Sequence, residues 1–223
     1  MLIGDIVASR SLSDRAEVQR RLVAAVEAAN AANAANAERA EALAAPLALT
    51  AGDEVQTLLA DPAAAVGLVT RVSDALRPVG LAWGLGRGPL TTDASGDVSA
   101  MDGPCFHRAR EAVEEAAGEG AWLAARGFSD VDDRVLSGLF RLLGVVRDGW
   151  TDTQFDYVRA SRDRTQREVA EVFDRDETTV SRTLSRAHVR DLLAGEEAAR
   201  ALLATYRDGR GAARRARETM RTT

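Results

Sequence analysis

Apolar positions along the chain follow two periods, and the period changes from segment to segment. Met1 to Val7 is an almost unbroken apolar, β-branched run, the pattern of a buried strand with Asp5 near its C-terminal end. From Asp14 to about Glu41, Val18, Leu22, Val23, Val26 and Ala29 recur at helical spacing and predict one long amphipathic helix. Its Ala28 to Asn36 stretch, a threefold Ala-Ala-Asn repeat, reads as an exposed low-complexity segment without a role. Pro46 to Ala51 and Glu54 to Leu59 are strand candidates separated by Gly52-Asp53, which predicts a tight hairpin with Asp53 at its tip. Asp61-Pro62 opens a second helix to about Leu76. Leu81 to Gly88 reads as a strand whose alternating glycines let another backbone approach one face. A helix from Asp102-Gly103-Pro104 to about Ala116 and a weak strand from Ala121 to Ala125 complete the order β, α, β, β, α, β, α, β. That order predicts an α+β sandwich with a mainly antiparallel sheet and helices on one face.

Beyond Asp130 the strand pattern disappears. Val131 to Val146 predicts a helix carrying Val135, Leu136, Leu139, Phe140, Leu142 and Leu143, linking the sheet region to the C-terminal third of the chain. Thr165 and Glu168 have the spacing of a capping box, so a helix starts there and runs to about Phe173. The chain turns at Asp174-Arg175 and restarts with Asp176 as N-cap. Val169, Ala170, Phe173, Val180 and Leu184 form the inner faces of this pair, and Thr178, Thr179, Ser181, Arg182 and Arg186 its outer face.

Charge separates the two regions. Residues 1–150 carry 14 Arg against 21 acids and residues 151–223 carry 15 Arg against 13, giving net −7 and +2. All 29 basic residues are Arg, so phosphate contacts must come from guanidinium, backbone N–H or a metal. One cysteine, Cys105, and two histidines far apart, His107 and His188, exclude an internal disulfide and a structural zinc site. No apolar run reaches membrane-spanning length and the first residues do not read as a secretory signal, which predicts a cytoplasmic protein without a membrane.

The outer-face hydroxyls and guanidiniums are groups that bond phosphates and base edges in a major groove. Gln166-Arg167-Glu168-Val169-Ala170 and Thr179-Val180-Ser181-Arg182 resemble the helix-turn-helix of bacterial transcription regulators and of promoter-reading sigma-factor segments. The departure is Asp174, where that family usually has glycine; Asp tolerates the left-handed conformation better than most residues. By this resemblance the partner is double-stranded DNA, with Thr178, Thr179, Ser181, Arg182 and Arg186 in contact, and such readers commonly act as homodimers. The alternative is a helical pair used only for dimerisation. Arg207, Arg210, Arg214, Arg215, Arg217 and Arg221 form a basic tail, either a phosphate grip or a solvated terminus.

Ile3-Gly4-Asp5-Ile6-Val7-Ala8-Ser9-Arg10, Thr50-Ala51-Gly52-Asp53-Glu54-Val55-Gln56, Gly84-Leu85-Gly86-Arg87-Gly88 and Asp102-Gly103-Pro104 through Ala112 together resemble the SatD family across the whole chain. Motif content and strand order also resemble the ferredoxin-like palm fold of class III nucleotidyl cyclases. That similarity implies Asp5 and Asp53 as ligands of Mg2+ or Mn2+ beneath a nucleotide, with Ile6, Ser9, Arg10, Gly52 and Arg108 lining the site; Arg10, Arg108 and Arg110 are the arginines that could reach its phosphates, or else solubilising residues of an exposed helix. Two or three carboxylates can hold hard Mg2+ while water and phosphate complete its octahedron. The alternative is that Asp5 caps the following turn and Asp53 serves the hairpin's conformation alone.

The expected organisation is a palm-like domain over residues 1–128, a connecting helix over 129–150, a helix-turn-helix domain over 151–206 and a basic tail over 207–223. The expected function is a DNA-binding transcriptional regulator whose front domain senses a nucleotide or other phosphorylated ligand. Two alternatives stand beside it: a metal-dependent nucleotidyl cyclase or nucleotide hydrolase fused to a DNA-binding domain, and a degenerate palm domain used only for assembly. Binding is favoured over turnover, because the lysine that commonly reads adenine in cyclases is absent.

Overall fold

The strand-like runs become one five-stranded sheet, built from β1 (Leu2–Ile6), β2 (Ala48–Thr50), β3 (Glu54–Thr57), β4 (Leu81–Gly86) and β5 (Leu123–Arg126) in the order β2-β3-β1-β4-β5. The computed structural model describes residues 1–7, 14–50, 53–92 and 97–207, so Ser9, Arg10, Gly52 and the tail beyond Arg207 lie outside the described residues. β1 is central and pairs antiparallel with both β3 and β4, while β5 joins β4 in parallel. Between the strands run α1 (Arg15–Ala34), α2 (Ala37–Glu41), α3 (Ala64–Leu76) and α4 (Pro104–Glu119).

Helices cover both faces of the sheet, not one as the sequence pattern predicts. A Cβ added to Gly4 would strike the Trp83 ring, and Trp83 Nε1 donates to Ser73 Oγ on α3 at 3.0 Å, so these side chains face α1 and α3. Gly84 and Gly86, next to Trp83 and Leu85 along β4, face the other way. A Cβ there would lie 2.1 Å from the Ala109 carbonyl oxygen and 2.2 Å from the Cys105 carbonyl oxygen, so α4 lies backbone-to-backbone on that face. Ile3 joins Cys105, Ala109 and Val113 in the core beneath α4. The glycine alternation does predict this close approach; what it does not reveal is that α1 and α3 take the opposite side. Full burial of side chains such as Leu2, Leu22 and Leu68 stabilises the fold by roughly 1.5–3 kcal/mol each.

The long helix expected over Asp14 to Glu41 is broken at Ala35, and the Ala-Ala-Asn repeat is not the idle exposed stretch it suggests. Asn30 makes a two-point bond to the Leu47 backbone, its Nδ2 donating to the carbonyl at 2.9 Å and its Oδ1 accepting from the N–H at 3.0 Å. Asn33 is buried and its Oδ1 accepts from Arg71 Nη2 at 2.9 Å. Asn36 caps α2, its Oδ1 accepting from the Arg39 N–H at 3.0 Å. Helical spacing of three turns each asparagine to a different task as the chain leaves α1.

Contacts divide the chain into two units: Met1–Arg141 with the chain from Ala199 on, and Leu142–Ala198. The divisions fall inside α5 (Asp130–Asp148) and α9 (Val189–Ala204), so neither helix is confined to one unit. In the first unit α5 is seated by Asp133, whose carboxylate accepts from the Gly127 and Phe128 N–H groups at 2.8 and 2.9 Å. Trp122 meets Phe140 edge-on with ring centroids 6.1 Å apart.

The second unit contains α6 (Asp152–Ser161), a helix not anticipated from the sequence, then α7 (Gln166–Val172) and α8 (Glu177–Arg186). Thr165 and Glu168 form the expected capping box, Asp174 takes φ 50°, and Asp176 caps α8. Val169, Val180 and Leu192 are buried at its centre, and Trp150 Nε1 donates to the Ala187 carbonyl at 2.8 Å. Arg162 spans the fully buried Glu196 with two bonds of 2.8 and 3.0 Å. Among the described residues no helix is long and apolar enough to cross a membrane.

Candidate functional site

Alternation along β1 places Asp5 on the α4 face, two residues beyond buried Ile3. Its register partners are Glu54 on β3 and Ala82 on β4. Glu54 is almost buried and well satisfied. Arg110 of α4 grips its carboxylate with Nη1 at 2.8 Å and Nη2 at 3.0 Å, and Thr50 Oγ1 and Gln56 Nε2 also donate to it. Asp53 immediately precedes β3 and is half-buried, as is Asp5. Burial pushes the Asp5 carboxyl above its ordinary range, and the charges of Asp53 and Glu54 push it the same way. The Ile6 backbone bond and the Arg110 charge oppose the rise. Three acids therefore converge at one end of the central strand, facing one guanidinium that is bonded to Glu54.

Of the expected site residues, Asp53 lies near enough to Asp5 for its charge to act on it, and the Ile6 backbone bonds the Asp5 carboxylate. The structure does not bring Arg108 there. Arg108 Nη1 donates to the Arg87 carbonyl at 2.7 Å, beyond the C-terminal end of β4. β4 runs antiparallel to β1, so Arg108 stands at the opposite end of the sheet from Asp5. Arg110, two residues later on α4, is the arginine that reaches the acids.

Glu54 is absent from the expected site because Glu54-Val55-Gln56-Thr57 alternates like a half-solvated strand. With the sheet covered on both faces all four residues are buried, so the polar positions lie inside. Among the described residues no group of three or more His, Cys, Asp or Glu is arranged to hold a metal ion. Asp5 and Asp53 fit a divalent cation in one respect: their mutual repulsion raises the Asp5 pKa, and a cation would relieve it. A cation there would supply charge neutralisation and a template for phosphate oxygens.

In the second unit, Thr178, Thr179, Ser181, Arg182 and Arg186 are all exposed on α8. Thr179 is already committed to the cap: its N–H and Oγ1 donate to Asp176 at 2.8 and 2.6 Å. Those Thr179 bonds hold the Asp176 carboxyl below its usual range, with a smaller contribution from Arg182. Thr178, Ser181, Arg182 and Arg186 recur at spacings of three and four along one stripe, with exposed Ser185 among them, a residue the sequence reading leaves out. Asp174, Asp176 and Glu177 cluster with Arg175 at the start of the helix, so that end is net acidic and the basic residues of α8 itself lie in its later turns.

A mixed α/β unit with acids converging on its central strand, joined in one chain to a small helical unit with an exposed Thr/Ser/Arg stripe, defines the class of protein. The chain belongs to the SatD family, whose family model matches residues 1–203. No curated protein and no solved structure matches it.

Proposed function

We propose that the protein is a cytoplasmic DNA-binding transcriptional regulator whose first unit senses a nucleotide or another phosphorylated ligand. The observation that carries this reading is α7 and α8: a capped helix, a turn through Asp174 at φ 50°, and a second capped helix with buried Val180 and Leu184 beneath a Thr178/Ser181/Arg182/Arg186 stripe. These features support a helix-turn-helix reading, in which α8 is the helix that enters the major groove. Arg182 and Arg186 contact phosphates or guanine edges, and the hydroxyls of Thr178 and Ser181 supplement them. The protein acts as a homodimer on two half-sites. Exposed Val131 and Val135, four residues apart on the part of α5 within the first unit, supply an apolar surface for that association.

For the first unit, the antiparallel order β2-β3-β1-β4 with α1 and α3 sharing one face supports the palm-like reading, to which α4 and β5 are additions. Asp5 and Asp53 hold Mg2+ or Mn2+ in this reading, the cation carries the ligand's phosphates, and the Glu54–Arg110 pair fixes the wall beside them.

The test is enrichment of genomic fragments followed by mobility shift. A preferred sequence whose shift is lost in Arg182→Ala supports the reading; equal binding to random DNA refutes it. The raised Asp5 carboxyl beside two further acids favours one second reading, a metal-dependent nucleotidyl cyclase or nucleotide hydrolase. Product formed from ATP or GTP with Mg2+ or Mn2+, and lost in Asp5→Ala and Asp53→Ala, would place it first. A first unit that responds to neither cation nor nucleotide would leave assembly as its role.

A further inference from the structure

The first unit has a cleft of about 400 Å3 on the side of the sheet away from Asp5, bounded by the end of α1, by α2, by the start of α3, by the last turns of α9 and by Arg207 just after it. Four arginines line it, Arg39, Arg71, Arg200 and Arg207, against two acids, Glu38 and Asp61. Asp61 is already engaged, accepting from the Ala63 N–H at 2.9 Å and lying 3.5 Å from Arg207 Nε. The surplus charge of the wall is positive.

Asn33 also lines the cleft, and only 4% of it is exposed. Arg71 can only donate, so the 2.9 Å bond from its Nη2 fixes which end of the amide is the oxygen. That bond anchors the Arg71 guanidinium in the cleft wall. Gly67 leaves the space: a Cβ added there would come 3.4 Å from Arg71 Nη1.

We propose that this cleft binds a phosphomonoester, with the phosphate held by Arg39, Arg71 and Arg200 and the organic part resting against Leu43 and Leu68. The donors come from three different helices, which suits a tetrahedral dianion better than a planar carboxylate. The volume lies at the lower end of the range typical of small-molecule sites. The site shares no residue with the Asp5/Asp53 cluster and needs no metal.

Isothermal titration calorimetry of the full chain in EDTA tests this, with ribose 5-phosphate, inorganic phosphate, ribose and citrate as probes. Saturable binding of ribose 5-phosphate, competed by inorganic phosphate and absent with ribose, is expected. Arg39→Gln, at an exposed side chain that leaves the fold intact, weakens it by about tenfold. Gly67→Leu fills the cleft and abolishes it, and Asp5→Asn leaves it unchanged. No heat from either phosphate probe, equal affinity in Arg39→Gln, or tighter binding of citrate would overturn the proposal. Because the titration contains no divalent ion, its outcome is independent of whether Asp5 and Asp53 hold a cation.

Discussion

Asp5 and Glu54 stand directly opposite one another on the antiparallel strands β1 and β3, but Arg110 places its guanidinium on Glu54. The fold thus satisfies one of two facing carboxylates and leaves the other raised in pKa by burial and by its neighbours' charge.

That asymmetry makes stability depend on pH with a definite sign. The Asp5 carboxyl is raised in the folded protein above its ordinary 3.8, so the folded state binds its proton more tightly than the unfolded state. Stability is highest below that value and falls as pH rises through the folded pKa. Asp5→Asn is therefore expected to raise Tm at pH 7 and to have no effect near pH 3. Asp5 is only half-buried, so screening holds the gain below about 1 kcal/mol. On the proposed function, Mn2+ with a nucleotide is expected to reverse the order, because a ligand held through Asp5 would stabilise the wild type alone. Thermal unfolding at several pH values, with and without Mn2+, checks both parts.

Removing Arg110 leaves Glu54 buried among acids. Arg110→Ala is expected to destabilise the first unit by roughly 1–3 kcal/mol, and Arg110→Ala with Glu54→Gln to recover much of that loss. Chemical denaturation of the two variants measures the coupling.

Asn30 ties α1 to the strand region through both polar atoms of the Leu47 backbone. Asn30→Ala strands a backbone N–H and C=O and costs roughly 1–3 kcal/mol. Exposed Ala31, one residue on, serves as the control: Ala31→Ser changes stability by less than about 0.5 kcal/mol.

In the second unit Glu196 is fully buried and held by two bonds from Arg162. Glu196→Ala leaves a buried guanidinium without that partner and is expected to cost about 3–5 kcal/mol. Loss of helical circular dichroism at lower denaturant concentration is the readout.

Local signals are legible wherever one element carries its own instructions. Thr165 with Glu168, Asp176 ahead of Glu177, and Pro104 after Gly103 mark helix starts that the structure reproduces. Asp5 and Asp53 are legible because matching Gly-Asp contexts draw them together. Whatever depends on a second element is hidden. Glu54 reads as a solvent-facing strand residue until α4 covers it, and Arg108 and Arg110 read alike as phosphate ligands until the direction of β4 separates them. The Ala-Ala-Asn repeat looks idle because the partners of Asn30 and Asn33, Leu47 and Arg71, lie 17 and 38 residues away. α6 escapes a periodicity reading because Phe155, Tyr157, Val158 and Ala160 do not keep one clean stripe, yet all are buried within a three-helix packing.

DNA recognition by α8 is tested most directly by fluorescence anisotropy of the best-enriched duplex and its scrambled counterpart, measured across a salt series for the wild type and Arg182→Ala. Tighter binding of the enriched duplex is expected, with a linear fall of log K with log salt and a loss of roughly 1–3 kcal/mol of sequence discrimination in Arg182→Ala at unchanged Tm. Equal affinity for both duplexes, or an Arg182→Ala titration superimposable on the wild type, would contradict it.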